Sequence, residues 1–165
     1  MRTWNRLACA LLASVSCCGY SARSLLPPHL RTVAVLPATN STTRPGIEEM
    51  LTDSLVAAFG ADRNLRVTSL EDADLVLNVD VNSYSKTAAV FDEEQTVSVY
   101  DVVVSAQVEA EDQVRSEVFF KGPVSGRKTY DPEESTGTGD PEDAAAAEAV
   151  GEVAREIVRR ILTQW

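Results

Sequence analysis

The chain has 165 residues, 44% of them hydrophobic, and its 15 basic and 25 acidic side chains give a net charge of −10. That length supports one domain with a sizeable core, and the acidic balance disfavours unassisted binding to nucleic acid or to anionic membrane. Cysteine occurs only at positions 9, 17 and 18, so residues 19–165 contain no disulfide framework and no thiolate metal site.

The first 17 residues read as an export signal. Arg2 and Arg6 precede an apolar run over residues 7–15. That run is far shorter than the ~20 residues a spanning helix needs, so it is a leader and not an anchor helix. It ends at Cys17-Cys18-Gly19-Tyr20, where a thiol can take up lipid. Cys18 as acceptor places Val15 three residues upstream, the aliphatic that a lipoprotein signal wants there. Cys17 as acceptor places Ser16 before the cut but the weaker Ser14 at the aliphatic position. Cys18 is the preferred acceptor and Cys17 the alternative. Loss of residues 1–17 leaves 13 basic against 25 acidic residues, or −12.

Residues 18–30 form a tether, with Pro27-Pro28 preventing a helix. His29 is the only histidine and has no ligand-like neighbours, so it is a surface or packing residue. The Val-rich run over 32–38 is too short for a helix and reads as a buried strand. A polar loop over 40–44 leads to a helix with Pro45 at its first position. Ile47, Met50, Leu51, Leu55, Ala58 and Phe59 recur at helical spacing, and Gly60 is placed to supply a left-handed stop. A short strand follows near residues 65–68.

Residues 75–86 alternate. Leu75, Leu77, Val79 and Val81 are expected inside, with Asn78, Asp80, Asn82 and Tyr84 outside. An acidic connection over 91–94 leads to a second long strand over 96–111. There Tyr100, Val102, Val104, Ala106, Val108 and Ala110 point inward, while Asp101, Ser105, Gln107 and Glu109 point outward. Residues 117–128 form a third strand, and Pro123 marks an edge or a bulge. Residues 130–139 read as a loop. Asp140-Pro141-Glu142-Asp143 then starts a second helix, with Val150, Val153, Ile157 and Ile161 as its buried stripe and Trp165 beyond its end.

Folding these elements together predicts an α/β two-layer sandwich. A mixed β-sheet, parallel at first and antiparallel later, carries both helices on one face, within a single domain over 31–165. The opposite face, bearing Asn78, Asp80, Asn82, Asp101, Gln107 and Glu109, is left wet or available to a polar partner. Ser83…Lys86 and Ser125…Lys128 match S-x-x-K, but in strands the two residues point to opposite faces. No other cofactor, metal or nucleophile pattern appears, and the chain reads as a non-enzymatic interaction protein.

Cys18-Gly19-Tyr20, the segment Leu26-Pro27-Pro28-His29-Leu30, the strand over 32–37 and Arg44-Pro45-Gly46 before the helix resemble the LptE family of LPS-assembly lipoproteins. Residues 74–84, the region around Tyr130 and the last amphipathic helix are similar to it as well. The resemblance implies an outer-membrane lipoprotein facing the periplasm and lying as a plug in a large LPS-assembly β-barrel. It implies help in folding that barrel and in passing lipopolysaccharide to the outer leaflet, with no reaction catalysed and no cofactor. It also implies LPS contact through basic residues, for which Lys121, Arg127 and Lys128 are the nearest patch; a solvated edge strand is the simpler reading of the three. The alternative is a periplasmic lipoprotein on a similar scaffold that activates a cell-wall synthase or joins a secretion complex.

Overall fold

A computed structural model describes residues 26–91, 97–133 and 139–164. In chain order they form β1 (Thr32–Val35), β2 (Thr39–Asn40), α1 (Ile47–Asp62), β3 (Arg66–Val67), a 3-10 turn (Leu70–Asp72), β4 (Leu75–Phe91), β5 (Val97–Asp112), β6 (Glu117–Tyr130) and α2 (Pro141–Leu162). The sheet order is β3-β1-β4-β5-β6, with the short β2 also paired to β4. Pairings of β1 with β3 and β4 are parallel, and the β4–β5 and β5–β6 pairs are antiparallel. The mixed sheet with two helices on it is the predicted α/β sandwich.

Alternation explains the core. Leu75, Leu77, Val79 and Val81 of β4 and Val102, Val104, Ala106, Val108 and Ala110 of β5 are all buried. Against them pack Ile47, Leu51, Leu55 and Phe59 of α1 and Val150, Val153, Ile157 and Ile161 of α2. Asp140 caps α2 by accepting from the backbone N–H of Glu142 at 2.9 Å, and Pro141 occupies the first turn. Gly126 lets β6 approach α2 closely: a Cβ there would lie 2.2 Å from the carbonyl oxygen of Ala149. β6 is an edge strand, as Pro123 requires.

Helix α1 departs from the sequence reading at both ends. It starts at Ile47, with Gly46 as a left-handed N-cap (φ 82°) and Pro45 outside it. The cause is Asn40, whose Nδ2 donates to the carbonyl of Arg44 at 2.8 Å and to Glu48 at 2.7 Å, holding the loop out of helical geometry. The helix also runs through Gly60 to Asp62, and Arg63 (φ 67°) takes the left-handed position, its N–H bonded to the carbonyl of Phe59.

The chain entering β1 is fastened to the body. His29 Nε2 lies 2.6 Å from Asp112 Oδ2. Asp112 is almost fully buried, and its other oxygen accepts the N–H groups of Val114 and Arg115 in the β5–β6 turn. Burial pushes its pKa up, but His29 and these N–H groups outweigh burial and hold it below the usual carboxylate range. One step on, Asp74 accepts from the backbone of Arg31 (2.9 Å) and Thr32 (3.0 Å). His29 is therefore half of a clamp joining the end of the tether to the far side of the sheet, a role the sequence reading did not assign.

Candidate interaction site

The helices cover one face of the sheet and leave the other open, so the open face is the candidate site. Asn78 and Asn82 are exposed there, with Ser83, Ser105 and Ser125 directly opposite one another across β4, β5 and β6. Two features differ from expectation. Asp101 points to this face yet is only 9% exposed. It is held by Arg127 Nε at 3.1 Å, and its Oδ1 is buried without a hydrogen-bond partner.

Tyr84 does not belong to this face. The register slips between Val81 and Ser83, so that Val81 pairs with Ala106 and Ser83 with Ser105. Asn82 is the extra residue of a β-bulge, which reverses the facing of everything beyond it. Tyr84 and Lys86 consequently turn to the helix side, where both meet Glu142 on the first turn of α2.

That meeting point is a hub. Glu142 accepts from Tyr84 Oη at 2.8 Å, from Arg44 Nη1 at 2.8 Å and from Lys86 Nζ at 2.6 Å. Arg44 also pairs with Asp143 and lies 4.6 Å above the Tyr84 ring. Lys86 sits 4.5 Å from the Tyr100 ring centre, and Tyr100 and Tyr130 stack at 5.6 Å. Hydrogen bonds from Lys86 and Tyr84 draw the Glu142 carboxyl down to about 2. Burial and the bond to Glu142 push the Tyr84 hydroxyl up to about 12. The bond to Glu142 likewise raises Lys86. Every cation in the hub is neutralised, so it serves as a brace between α1's entry loop, β4 and α2.

Beyond the brace, β4, β5 and β6 continue together as far as Ala88, Tyr100 and Tyr130, and β4 and β5 alone run past them as an arm; Ser85, Thr87, Ala88, Ala89 and Val90 are exposed. β4 runs on to Phe91, the first residue of the connection expected over 91–94; residues 92–94 lie outside the described residues.

The three predicted basic residues are divided by strand alternation. Lys121 and Arg127 project from the open face, paired with Glu109 (2.9 Å) and Asp101. Lys128 turns to the helix side and pairs with Glu148 of α2. Ser83 and Lys86 lie on opposite faces, as their spacing in a strand demands. Among the described residues no group of three or more metal-ligating side chains is present. Cys17, Cys18 and Trp165 lie outside the described residues, as do residues 134–138 of the predicted 130–139 loop.

The family model for LptE, lipopolysaccharide-assembly, matches residues 30–161. This chain belongs to the LptE family. No curated protein matches it in sequence. Solved structures share its fold at low identity. CT253 from Chlamydia trachomatis has a TM-score of 0.59 at 11% identity, with 80% of this chain and 95% of that one covered. XCC0632 from Xanthomonas campestris has 0.53 at 20%, covering 83% and 88%. The PelC dodecamer from Paraburkholderia phytofirmans has 0.53 at 15%, covering 82% and 91%. The LptE family acts in assembly and not in catalysis, and membership associates the chain with lipopolysaccharide and its assembly barrel.

Proposed function

We propose that this LptE-family chain is an outer-membrane lipoprotein that plugs the LPS-assembly β-barrel from the periplasmic side. In this reading residues 1–17 are removed, Cys18 (or Cys17) carries lipid, residues 18–30 tether the protein, and 31–165 form one domain. The protein helps the barrel fold and passes lipopolysaccharide to the outer leaflet without catalysing a reaction. The observation that carries it is the family match over residues 30–161.

The open sheet face supports the reading. A polar, flat surface rich in serine and asparagine suits contact with the polar interior wall of a barrel. Lys121 and Arg127, with side chains 57% and 70% exposed, are the cations on that face that can exchange their acidic partners for LPS phosphates. Photo-crosslinkers at Ser105 and Ser125 test it, since both should capture the barrel in outer membranes. Capture of a cell-wall synthase or of a second copy of the chain instead favours the alternative lipoprotein role.

A further inference from the structure

Lys121 and Arg127, the exposed cations of the open sheet face, do not stand alike toward an incoming phosphate. Lys121 pairs with Glu109, whose side chain is 32% exposed, so water can solvate that carboxylate when the lysine leaves. Arg127 pairs with Asp101, whose side chain is 12% exposed and whose Oδ1 is buried with no hydrogen-bond partner. A carboxylate oxygen buried without a donor costs stability. On a face otherwise lined by the hydroxyl groups of Ser83, Ser105 and Ser125, its presence calls for a cause other than stability.

Arg127 is fixed at both ends of its stem. Its backbone N–H donates to Glu152 Oε2 of α2 at 2.8 Å, and the preceding Gly126 lies against the α2 backbone at Ala149. Its Nε meets Asp101 Oδ2 of the adjacent strand at 3.1 Å. Among the described residues neither of its Nη groups makes a hydrogen bond, and the side chain is 70% exposed. Ser125 and Thr129, both exposed, flank it along β6 on the same face. Lys121 lies six residues back along β6, about 20 Å away, so Arg127 meets a ligand group without it.

We propose that Asp101 is a positioning residue for Arg127: it holds the guanidinium at Nε so that the two Nη groups stand free for one phosphate group of lipopolysaccharide. A guanidinium held at Nε still offers its Nη donors to the oxygens of a phosphate. The hydroxyls of Ser125 and Thr129 can donate to the remaining oxygens. Arg127 thus reaches a phosphate without leaving Asp101, a departure that the burial of Asp101 makes costly. Because the cation is held before the ligand arrives, less side-chain freedom is lost on binding. The inference rests on the LPS contact within the proposed function, which it deepens. It predicts a sign opposite to that of net charge. By net charge alone, removing any carboxylate from this face favours an anion. By positioning, removing the charge of Asp101 disfavours it.

The test titrates lipopolysaccharide onto the full chain as purified from membranes and reads its affinity. Glu109→Gln and Asp101→Asn change the net charge equally on the same face. Glu109→Gln frees Lys121 and raises the affinity, whereas Asp101→Asn lowers it, each roughly threefold. Arg127→Gln lowers it at least as much, and adding Asp101→Asn to Arg127→Gln lowers it no further. Arg127→Lys keeps a cation beside Asp101 but loses the fork, and binds more weakly than wild type. Thermal unfolding verifies that the variants are folded; should Asp101→Asn fail to fold, Arg127→Lys decides, and wild-type affinity there overturns the inference. Unchanged or higher affinity in Asp101→Asn refutes the positioning alone. The same Asp101 dependence with phosphatidylglycerol vesicles, or with lipopolysaccharide stripped of its phosphates, overturns the assignment to a lipopolysaccharide phosphate. No binding by wild type, or unchanged affinity in Arg127→Gln, refutes the LPS contact itself and the positioning with it.

Discussion

Tyr84 on β4 and Glu142 on α2, 58 residues apart, share a 2.8 Å hydrogen bond at the point where the core ends and the arm begins. The bulge at Asn82 makes the bond possible, because without it Tyr84 would face the opposite side of the sheet. The bond and its partners Arg44 and Lys86 fix the direction in which the arm leaves the domain.

Glu142→Gln removes the charge that three donors share. The change should destabilise the fold by about 1–3 kcal/mol, because Arg44 and Lys86 lose their compensating carboxylate. Asp143→Asn, at a side chain 70% exposed, should change stability by no more than about 0.5 kcal/mol. Chemical denaturation checks both. The Glu142 carboxyl is lowered from 4.5 to about 2, so its stabilisation is full above pH 4.5 and lost as pH falls towards 2. Wild type and Glu142→Gln should therefore converge in stability across that window.

Gly126→Ala places a methyl group against the backbone of α2 at Ala149. It should cost about 1–3 kcal/mol or more, since neither backbone can retreat without moving the core. Gly60→Ala meets nothing within 4 Å inside a helix, and should stabilise by roughly 0.5–1 kcal/mol. Melting curves of the two variants should move in opposite directions.

Lys121→Gln combined with Arg127→Gln should lower crosslinking to lipopolysaccharide. The Lys121 change alone should leave stability within about 0.5 kcal/mol, because its pair with Glu109 is largely solvated. The Arg127 change strips the nearly buried Asp101 of its cation and should cost about 1–3 kcal/mol. Lys128→Gln, on the helix side, should leave the crosslinking unchanged. The measurement is the yield of LPS captured by a photo-crosslinker at Ser125.

Cys18→Ala should block lipidation and leave the protein soluble or with its leader uncleaved. Mass spectrometry of the native protein should find the acyl groups on Cys18. Acyl groups on Cys17 would move the mature start by one residue.

Local chemistry made much of this fold legible. The start of α2 was carried by Asp140 and Pro141, the inward sets of β4 and β5 by strict alternation, and the edge position of β6 by Pro123. What escaped depends on contacts distant in sequence. His29 pairs with a carboxylate 83 residues away. The bulge at Asn82 has no residue signature, since nothing in Val81-Asn82-Ser83 demands an extra residue. The delayed start of α1 depends on Asn40 reaching Arg44 and Glu48. Of the basic residues, the sequence showed the cluster at 121–128 but not that each of the three is already paired.

The central claim is that this LptE-family chain works inside the LPS-assembly barrel. Crosslinked pull-down from outer membranes, with the photo-crosslinker at Ser105 on the open sheet face, tests it most directly. The account predicts recovery of a large, heat-modifiable β-barrel together with lipopolysaccharide. Recovery of a wall synthase or of the chain's own oligomer, with lipopolysaccharide reaching the surface normally when the protein is depleted, would contradict it.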